Sequence, residues 1–238
     1  MIKVTNRFQP IMKNPKIKMP EIKFDNKIFG ELTTAHSTDN YNPRWITTEI
    51  KNKFNKRLGY EILSFDKETK KGLGATLKVE KEYRQTNNRF GEILRLSSIM
   101  GILENGISEF EIHSKPTAIY FHSKYKFEPA IIQFEERDNA LLAIIANSKE
   151  GYESFKEEAE TLLEETYRNK IDEKQRALCK ETNSLIKKYI QKALETKDEY
   201  KKHPFQHGIR MILTREKIIQ NKDFFNSLFA KHGIDYKI

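Results

Sequence analysis

Residues 73–134 of the chain read LGATLKVEKEYRQTNNRFGEILRLSSIMGILENGISEFEIHSKPTAIYFHSKYKFEPAIIQF. The first eight of them, residues 73–80, have the composition of a strand. Residues 90–104 follow with apolar side chains three and four positions apart, which predicts a helix with one buried face. Asn105 and Gly106 then end this helix, because glycine readily takes the left-handed backbone of a helix C-cap.

The rest of this stretch predicts a further strand, helix and strand. Residues 110–113 indicate a short strand, Pro116 opens a helix, and residues 127–134 return to strand. Upstream, residues 60–66 form another strand that pairs with residues 73–80 as a hairpin. Residues 60–134 therefore predict an α/β fold with a mixed sheet flanked by helices.

The sequence before this core predicts less regular structure. Residues 1–22 contain Pro10, Pro15 and Pro20 between lysines, which predicts an irregular basic tail. A short strand is expected near residues 28–35. From Asn42 and Pro43 to Gly59 the sequence predicts a helix, with one apolar face formed by Trp45, Ile46, Ile50 and Phe54.

The C-terminal third has a different character. Residues 150–202 are charged and predict two amphipathic helices, one with Tyr152 and Leu162 on its apolar stripe and the other with Leu185 and Tyr189. Residues 209–214 predict a strand, and residues 223–232 a last helix that ends at Gly233. We expect the strand at 209–214 to pair antiparallel with residues 130–134 across a helical insertion. The alternative is that everything after residue 148 forms a separate helical module.

Composition limits the possible functions. The net charge of the 238 residues is +9, and residues 1–60 hold twelve Lys/Arg against five Asp/Glu. This patch could attract nucleic acid, although a solvated lysine-rich surface is the favoured interpretation. The single cysteine, Cys179, excludes an intrachain disulfide and a cysteine-based zinc cage. No apolar run is long enough for a membrane span, no spacing indicates a metal site, and we expect a cytoplasmic protein.

Three pieces of the sequence resemble the GNAT superfamily of N-acetyltransferases. Residues 77–84 (LKVEKEYR) resemble the end of its fourth strand, and residues 91–114 resemble its following helix and fifth strand. Residues 118–127 (AIYFHSKYKF) resemble its Ala-x-x-Phe-Tyr-x-Lys-x-Gly-Phe helix. The order and spacing of these pieces carry the resemblance, which implies a splayed sheet that binds acetyl-CoA.

The resemblance also implies which residues contact the cofactor. The pantetheine arm would meet the fourth strand, and the pyrophosphate would meet amides at the start of the next helix. The implied cofactor-binding residues are Leu77, Val79, Arg84, Asn88, Arg89, Phe90, Gly91 and Glu92. Arg89 stands where the family's first loop glycine belongs, and its guanidinium offers a charged fork to the same phosphate.

The catalytic assignment follows the same resemblance. The family commonly places a tyrosine in the last helix to protonate the CoA thiolate, and this position is His122, which can also donate a proton near neutral pH. Lys126 replaces a second family glycine. Glu80 and Glu82 are the candidates for the general base.

The expected domains are an irregular basic tail (1–22), an acyl-CoA-binding core (23–136), a helical insertion (137–203) and a closing strand with a C-terminal helix (204–238). The leading hypothesis is acetyl transfer from acetyl-CoA to an unknown amine. In this hypothesis the early helices and the insertion determine the acceptor. The rival hypothesis is a non-catalytic protein that holds a protein or nucleic-acid partner. The oligomeric state stays open.

Overall fold

Six antiparallel strands in sequence order form the first part of the computed structural model. Each strand pairs with the next: β1 (Asn6–Ile11), β2 (Asn14–Asn26), β3 (Gly30–Thr38), β4 (Trp45–Asn52), β5 (Arg57–Asp66) and β6 (Lys71–Val79). The structure describes residues 6–11, 14–26, 28–39, 41–42, 44–84, 89–168, 172–197 and 205–238. None of the helices in these ranges is long and apolar enough to cross a membrane.

The chain forms two units, residues 1–111 with 213–238 and residues 112–212. After β6, the first unit contains a 3-10 helix (Lys81–Tyr83), α1 (Phe90–Glu104) and the first half of β7 (Glu109–Ser114). The second unit contains a 3-10 helix (Pro116–Ala118), α2 (Ile119–Lys124), β8 (Glu128–Pro129), α3 (Phe134–Asn147), α4 (Glu153–Arg168), α5 (Asp172–Glu195) and most of β9 (Ile209–Thr214). The chain ends in the first unit with α6 (Arg215–Gln220) and α7 (Lys222–Lys231).

The start of β7 makes the sheet mixed. The carbonyl of Lys70, just before β6, accepts hydrogen bonds from the amides of Ser108 (2.7 Å) and Glu109 (3.3 Å). Neighbouring strands β6 and β7 therefore begin at the same end and run parallel, connected through α1. A parallel pair needs such a crossover connection. The predicted α/β class, a mixed sheet flanked by helices, is confirmed.

Helix α1 forms the core of the first unit and has the predicted bounds. It packs against β2, β4, β5 and β6. A buried ion pair joins it to β5, with Arg95 Nη1 3.0 Å from Glu61 Oε1 and both side chains 1% exposed. Burial raises the pKa of Glu61, and the positive charge of Arg95 opposes this shift.

The predicted irregular tail at residues 1–22 is wrong for the residues that the structure describes, because β1 and most of β2 lie there. Proline has no N–H to donate in a strand pair. The backbone pairing of β2 with β3 runs from Lys23 to Asn26, and near Pro20 side chains of β3 bond the β2 backbone. Here Thr34 Oγ1 donates to the Pro20 carbonyl (3.1 Å) and accepts from the Ile22 amide (2.7 Å). The half-buried His36 ring also bonds the Pro20 carbonyl, and desolvation of the ring lowers its pKa to about 4.

The predicted helix from Asn42 to Gly59 is also wrong. Its core is β4, in which Ile46, Thr48 and Ile50 are buried and alternate with half-buried residues. Alternation of this kind places one face of a strand in the core, and β-branched residues favour that conformation. Pro43 lies outside the described residues.

The predicted strand at residues 127–134 is much shorter, because only Glu128–Pro129 is strand and α3 begins at Phe134. The expected antiparallel partner is correct. Glu128 pairs with Ile212 and Pro129 with Met211, and the Ala130 amide donates to the Arg210 carbonyl (2.9 Å). The pairing thus lies about two residues earlier than predicted.

The remaining helices agree with the sequence analysis where they are described. Helices α4 and α5 are the two predicted amphipathic helices, and α7 ends before Gly233, whose φ of 67° suits a C-cap. Most of α3 falls in the expected helical insertion (137–203), although no separate helix was predicted there, and α6 was not predicted. In sequence, α3, α4 and α5 lie between the paired strands β8 and β9.

Removing residues 151–238 is expected to unfold the chain. The truncation deletes β9, the partner of β8, and also Phe225 and Phe229, both fully buried in the first unit. Losing one such side chain typically costs about 3–5 kcal/mol, against a total stability of roughly 5–15 kcal/mol. Thermal melting of a 1–150 fragment followed by circular dichroism tests this. A cooperative transition like that of the full chain would contradict the expectation.

Candidate functional site

A β-bulge in β6 determines the orientation of Leu77 and Val79. Ile62 of β5 lies opposite Thr76, but Leu63 lies opposite Gly74, so Ala75 is an extra residue in β6. A bulge moves the residues that follow it to the other face of the sheet. Leu77 therefore lies opposite the buried Glu61 and is only partly exposed.

The candidate bases lie just beyond β6, where cations contact both. Glu80 Oε1 is 3.3 Å from Arg57 Nε, and its other oxygen is 3.4 Å from Lys78 Nζ. Glu82 lies in the 3-10 helix, 2.9 Å from Lys56 Nζ, and is more than half exposed. The hydrogen bond from Lys56 lowers the pKa of Glu82, and Tyr83 contributes in the same direction. A carboxylate with a lowered pKa is a weaker general base near neutral pH.

Arg84 and Tyr83 shape the entry to α1. The Nε of Arg84 donates to the carbonyl of Val79 at 2.8 Å, so the side chain folds back along the end of β6. The Tyr83 ring contacts Phe29 (5.3 Å between centroids) and Phe90 (6.3 Å). Residues 85–88, and with them the predicted ligand Asn88, lie outside the described residues.

Arg89 has the backbone conformation of a glycine. It is the N-cap of α1 with φ 53° and ψ 29°, the left-handed region that non-glycine residues seldom enter. Its carbonyl accepts the amides of Glu92 (2.9 Å) and Ile93 (3.2 Å). Phe90 and Gly91 lie in the first turn of α1, so no helical residue precedes them by a full turn to accept hydrogen bonds from their amides. They and the exposed Arg89 guanidinium suit an anion.

Two basic side chains from α7 and its C-cap lie beside this helix start. His232 Nε2 is 2.7 Å from a carboxylate oxygen of Glu92, and Lys231 Nζ is 3.4 Å from the same atom. The hydrogen bond to His232 lowers the pKa of Glu92, and the charges of Lys231, His232 and Arg89 act in the same direction. Sequence reasoning missed both residues, because a separation of 140 positions leaves no local signal.

In the second unit, His122 is buried on α2 and 6% exposed. Its ring contacts Phe121 (5.2 Å) and Phe127 (5.6 Å). The helix ends through hydrogen bonds from the Tyr125 and Phe127 amides to the His122 carbonyl. Lys126, which replaces the second family glycine, has φ 67°. The backbone therefore keeps the conformation that glycine would take at this helix end too.

No family model and no curated protein sequence matches the chain, but solved structures of acetyltransferases do. Tetrahymena GCN5 has a TM-score of 0.35 and 15% identity, and the PaiA N-acetyltransferase from Thermoplasma acidophilum, in complex with coenzyme A, has 0.32 and 18%. In both comparisons the match covers 39% of this chain and 57% of the other, less than two thirds of its length. The ribosomal-protein-S18-alanine N-acetyltransferase from Escherichia coli has a TM-score of 0.34 and 13% identity over 38% and 57%.

Among the residues that the structure describes, no three His, Cys, Asp or Glu side chains are grouped as metal ligands would be.

Proposed function

We propose that this chain is a divergent GNAT acetyltransferase, which transfers an acetyl group from acetyl-CoA to an amine in the cytoplasm. One observation carries the proposal: Arg89 and Lys126 hold left-handed backbones at the two positions where the family motifs have glycine. Such a backbone costs about 1–2 kcal/mol for a non-glycine residue. Strain of this kind persists where the surrounding structure requires it, which is often at a functional site.

The residues at the start of α1 suit the pyrophosphate of acetyl-CoA. Backbone amides of Phe90 and Gly91 would bind it together with the dipole of a fifteen-residue helix. Arg89 would add a bidentate charged contact, while Lys231 offsets the charge of Glu92 and His232 holds one of its oxygens. Leu77 and Val79 would contact the pantetheine arm. Arg84 would have to release the Val79 carbonyl, or bind a phosphate from where it stands.

The proposed reaction needs two proton transfers, one from a general acid and one to a general base. Acetyl-CoA supplies an acetyl group activated as a thioester. In the proposed reaction a bond forms between the amine nitrogen and the acetyl carbon, and the carbon–sulfur bond breaks. His122 gives its proton to the departing sulfur, and a carboxylate accepts the proton that the amine loses.

Of the two candidate bases, Glu80 is expected to matter more. Glu82→Gln is expected to change the rate less than about threefold, since its lowered pKa already makes it a weak base, whereas Glu80→Gln should slow transfer by about 10²-fold. Initial rates of CoA release at saturating acetyl-CoA measure both. Equal rates for the two variants would show that Glu80 is not the more important base.

Acetyl-CoA binding tests the cofactor part of the proposal. A ligand that binds only the native state adds about 2.7 kcal/mol of stability at a hundredfold excess over its Kd. Thermal melting and calorimetric titration of the full chain with acetyl-CoA should both respond. If millimolar acetyl-CoA changes neither, the cofactor assignment fails.

Two substitutions of Arg89 distinguish the contribution of its charge to binding from that of its left-handed backbone. Arg89→Ala is expected to weaken acetyl-CoA binding about tenfold, the size of one charge-assisted contact of about 1.4 kcal/mol. Arg89→Gly keeps the left-handed backbone and should lose the same contact without the strain. Lys222→Ala, which removes an exposed cation of the same unit, is the control. If Arg89→Gly binds as tightly as the unmodified protein, only the backbone matters.

The burial of His122 among aromatic rings favours a second function, a non-catalytic protein of the same fold. In that function His122 replaces the family tyrosine as a core residue, and the chain holds a partner instead of turning over acetyl-CoA. The two functions differ in one result, the release of CoA in the presence of an amine.

A further inference from the structure

A groove in the first unit lies at the turn between β5 and β6. It encloses about 970 Å³ and is lined by residues of β2, β5, β6 and β7, together with this turn and Arg44. Small-molecule sites typically measure about 300–1,000 Å³. Strands form most of its wall, so the backbone of the groove is in place before a ligand arrives. The start of α1 and the bulge in β6 are not part of it.

Two acidic side chains reach the groove from β7. Glu109 and Glu111 both line it, and Phe110 between them is fully buried against Phe65 and the Arg95 guanidinium. Residues two apart on a strand point to the same side, at a spacing of about 7 Å. The burial of Phe110 therefore directs both carboxylates to the groove.

Two basic side chains reach it from β2 in the same way. Lys16 and Lys18 are exposed and line the groove, while Ile17 between them is 2% exposed. Hydrogen bonds fix this part of β2, because Asn105 Oδ1 accepts the Lys18 amide (2.9 Å) and its Nδ2 donates to the Lys18 carbonyl (2.7 Å). Lys67, which bonds the Lys16 carbonyl at 3.1 Å, adds a third cation.

The groove thus carries acids from β7 and bases from β2, and charged side chains of both signs complete its lining: Asp66, Glu68, Arg44, Lys67 and Lys71. A ligand of one charge would meet repulsion from half of these groups, whereas a ligand with an ammonium group and an anionic group would be attracted by both halves. We propose that the groove binds a zwitterionic ligand of peptide size, with its ammonium group toward Glu109 and Glu111 and its carboxylate toward Lys16 and Lys18. This proposal does not depend on acetyl transfer.

Triglycine is a suitable probe, since its charged ends lie about 10 Å apart when extended. Calorimetric titration of the full chain, without acetyl-CoA, should show triglycine binding at least fivefold more tightly than N-acetyl-triglycine or triglycine amide. Each of these analogues lacks one of the two charges. Equal affinity for the three peptides, or no binding of triglycine at millimolar concentration, would overturn the proposal.

Charge variants locate the two ends of the probe. Glu109→Gln should remove the preference for a free amino group, and Lys18→Gln the preference for a free carboxylate. Glu31→Gln, at an exposed position of β3, serves as the control and should change neither preference. If Glu109→Gln and Lys18→Gln behave like Glu31→Gln, the peptide binds elsewhere and the assignment of this groove is wrong.

Discussion

Replacing His122 with alanine is expected to slow acetyl transfer at least 10²-fold. A positioned acid typically contributes about 10²–10⁴-fold in rate. In the proposed reaction the His122 ring would meet the cofactor's charge only as the thiolate develops, so acetyl-CoA affinity should stay nearly unchanged. Rates of CoA release under saturating acetyl-CoA, together with calorimetric affinities, separate these two quantities.

Two further variants make the result for His122→Ala interpretable. His122→Tyr restores the common family residue and should retain or improve the rate. His207→Ala removes an exposed histidine of the same unit and should leave the rate unchanged. Because His122 is buried, the melting temperature of each variant must show that it is folded. A folded His122→Ala variant with the unmodified rate would show that His122 is not the acid.

Arg95→Met is expected to cost about 3–5 kcal/mol of folding free energy. The substitution leaves Glu61 buried and without its cation, and breaking one side of a buried ion pair has this typical cost. The loss would affect the proposed site directly, since Arg95 lies on the helix whose first turn contains Phe90 and Gly91. Urea unfolding of the full chain measures the change from the shift in midpoint at constant slope.

The double variant Glu61→Leu/Arg95→Met is the control for this prediction. Replacing both partners by apolar residues of similar volume is often neutral or stabilising, because no uncompensated charge stays in the core. We therefore expect the double variant to recover most of the stability that the single variant loses. A single variant that loses less than about 1 kcal/mol would show that water reaches the pair.

Local signals predicted the part of the fold around α1. The predicted bounds of the helix at Phe90–Glu104 were correct. Its apolar periodicity and its end at Asn105 and Gly106 depend only on residues that are close together in the sequence. The hairpin of β5 and β6 was predicted for the same reason. The bulge at Ala75 was not, since one extra residue in a strand changes the register without changing the pattern.

Long-range contacts explain what the sequence did not reveal. The prolines of the first 22 residues indicated an irregular tail, but β2 is a strand there, and side chains of β3 bond the Pro20 carbonyl. Ile46 and Ile50 are four positions apart, so they can share one face of either a helix or a strand. Pairing with β3 and β5 makes this segment a strand. The early helices that the resemblance implied do not occur in the described residues before the 3-10 helix at Lys81–Tyr83. The structure therefore gives no such helices as determinants of the acceptor.

In the candidate site, too, local motifs predicted some features and long-range contacts determined others. The resemblance directed attention to Arg89 and Lys126, and only the structure showed that both keep the glycine-like backbone. Lys231 and His232 reach Glu92 from the other end of the chain, so no motif contained them. The assignments of Glu80, Glu82 and His122 stay predictions that kinetics must test.

Transfer of a labelled acetyl group tests the central claim most directly. The full chain is incubated with acetyl-CoA that carries an isotope in its acetyl group and with a panel of polyamines, peptides and aminoglycosides, and the amines are analysed by mass spectrometry. Our account predicts at least one amine with the labelled acetyl group, formed with an equal amount of free CoA and lost in His122→Ala. Acetyl-CoA that binds but leaves every amine unlabelled, with no CoA released above the uncatalysed rate, would contradict it.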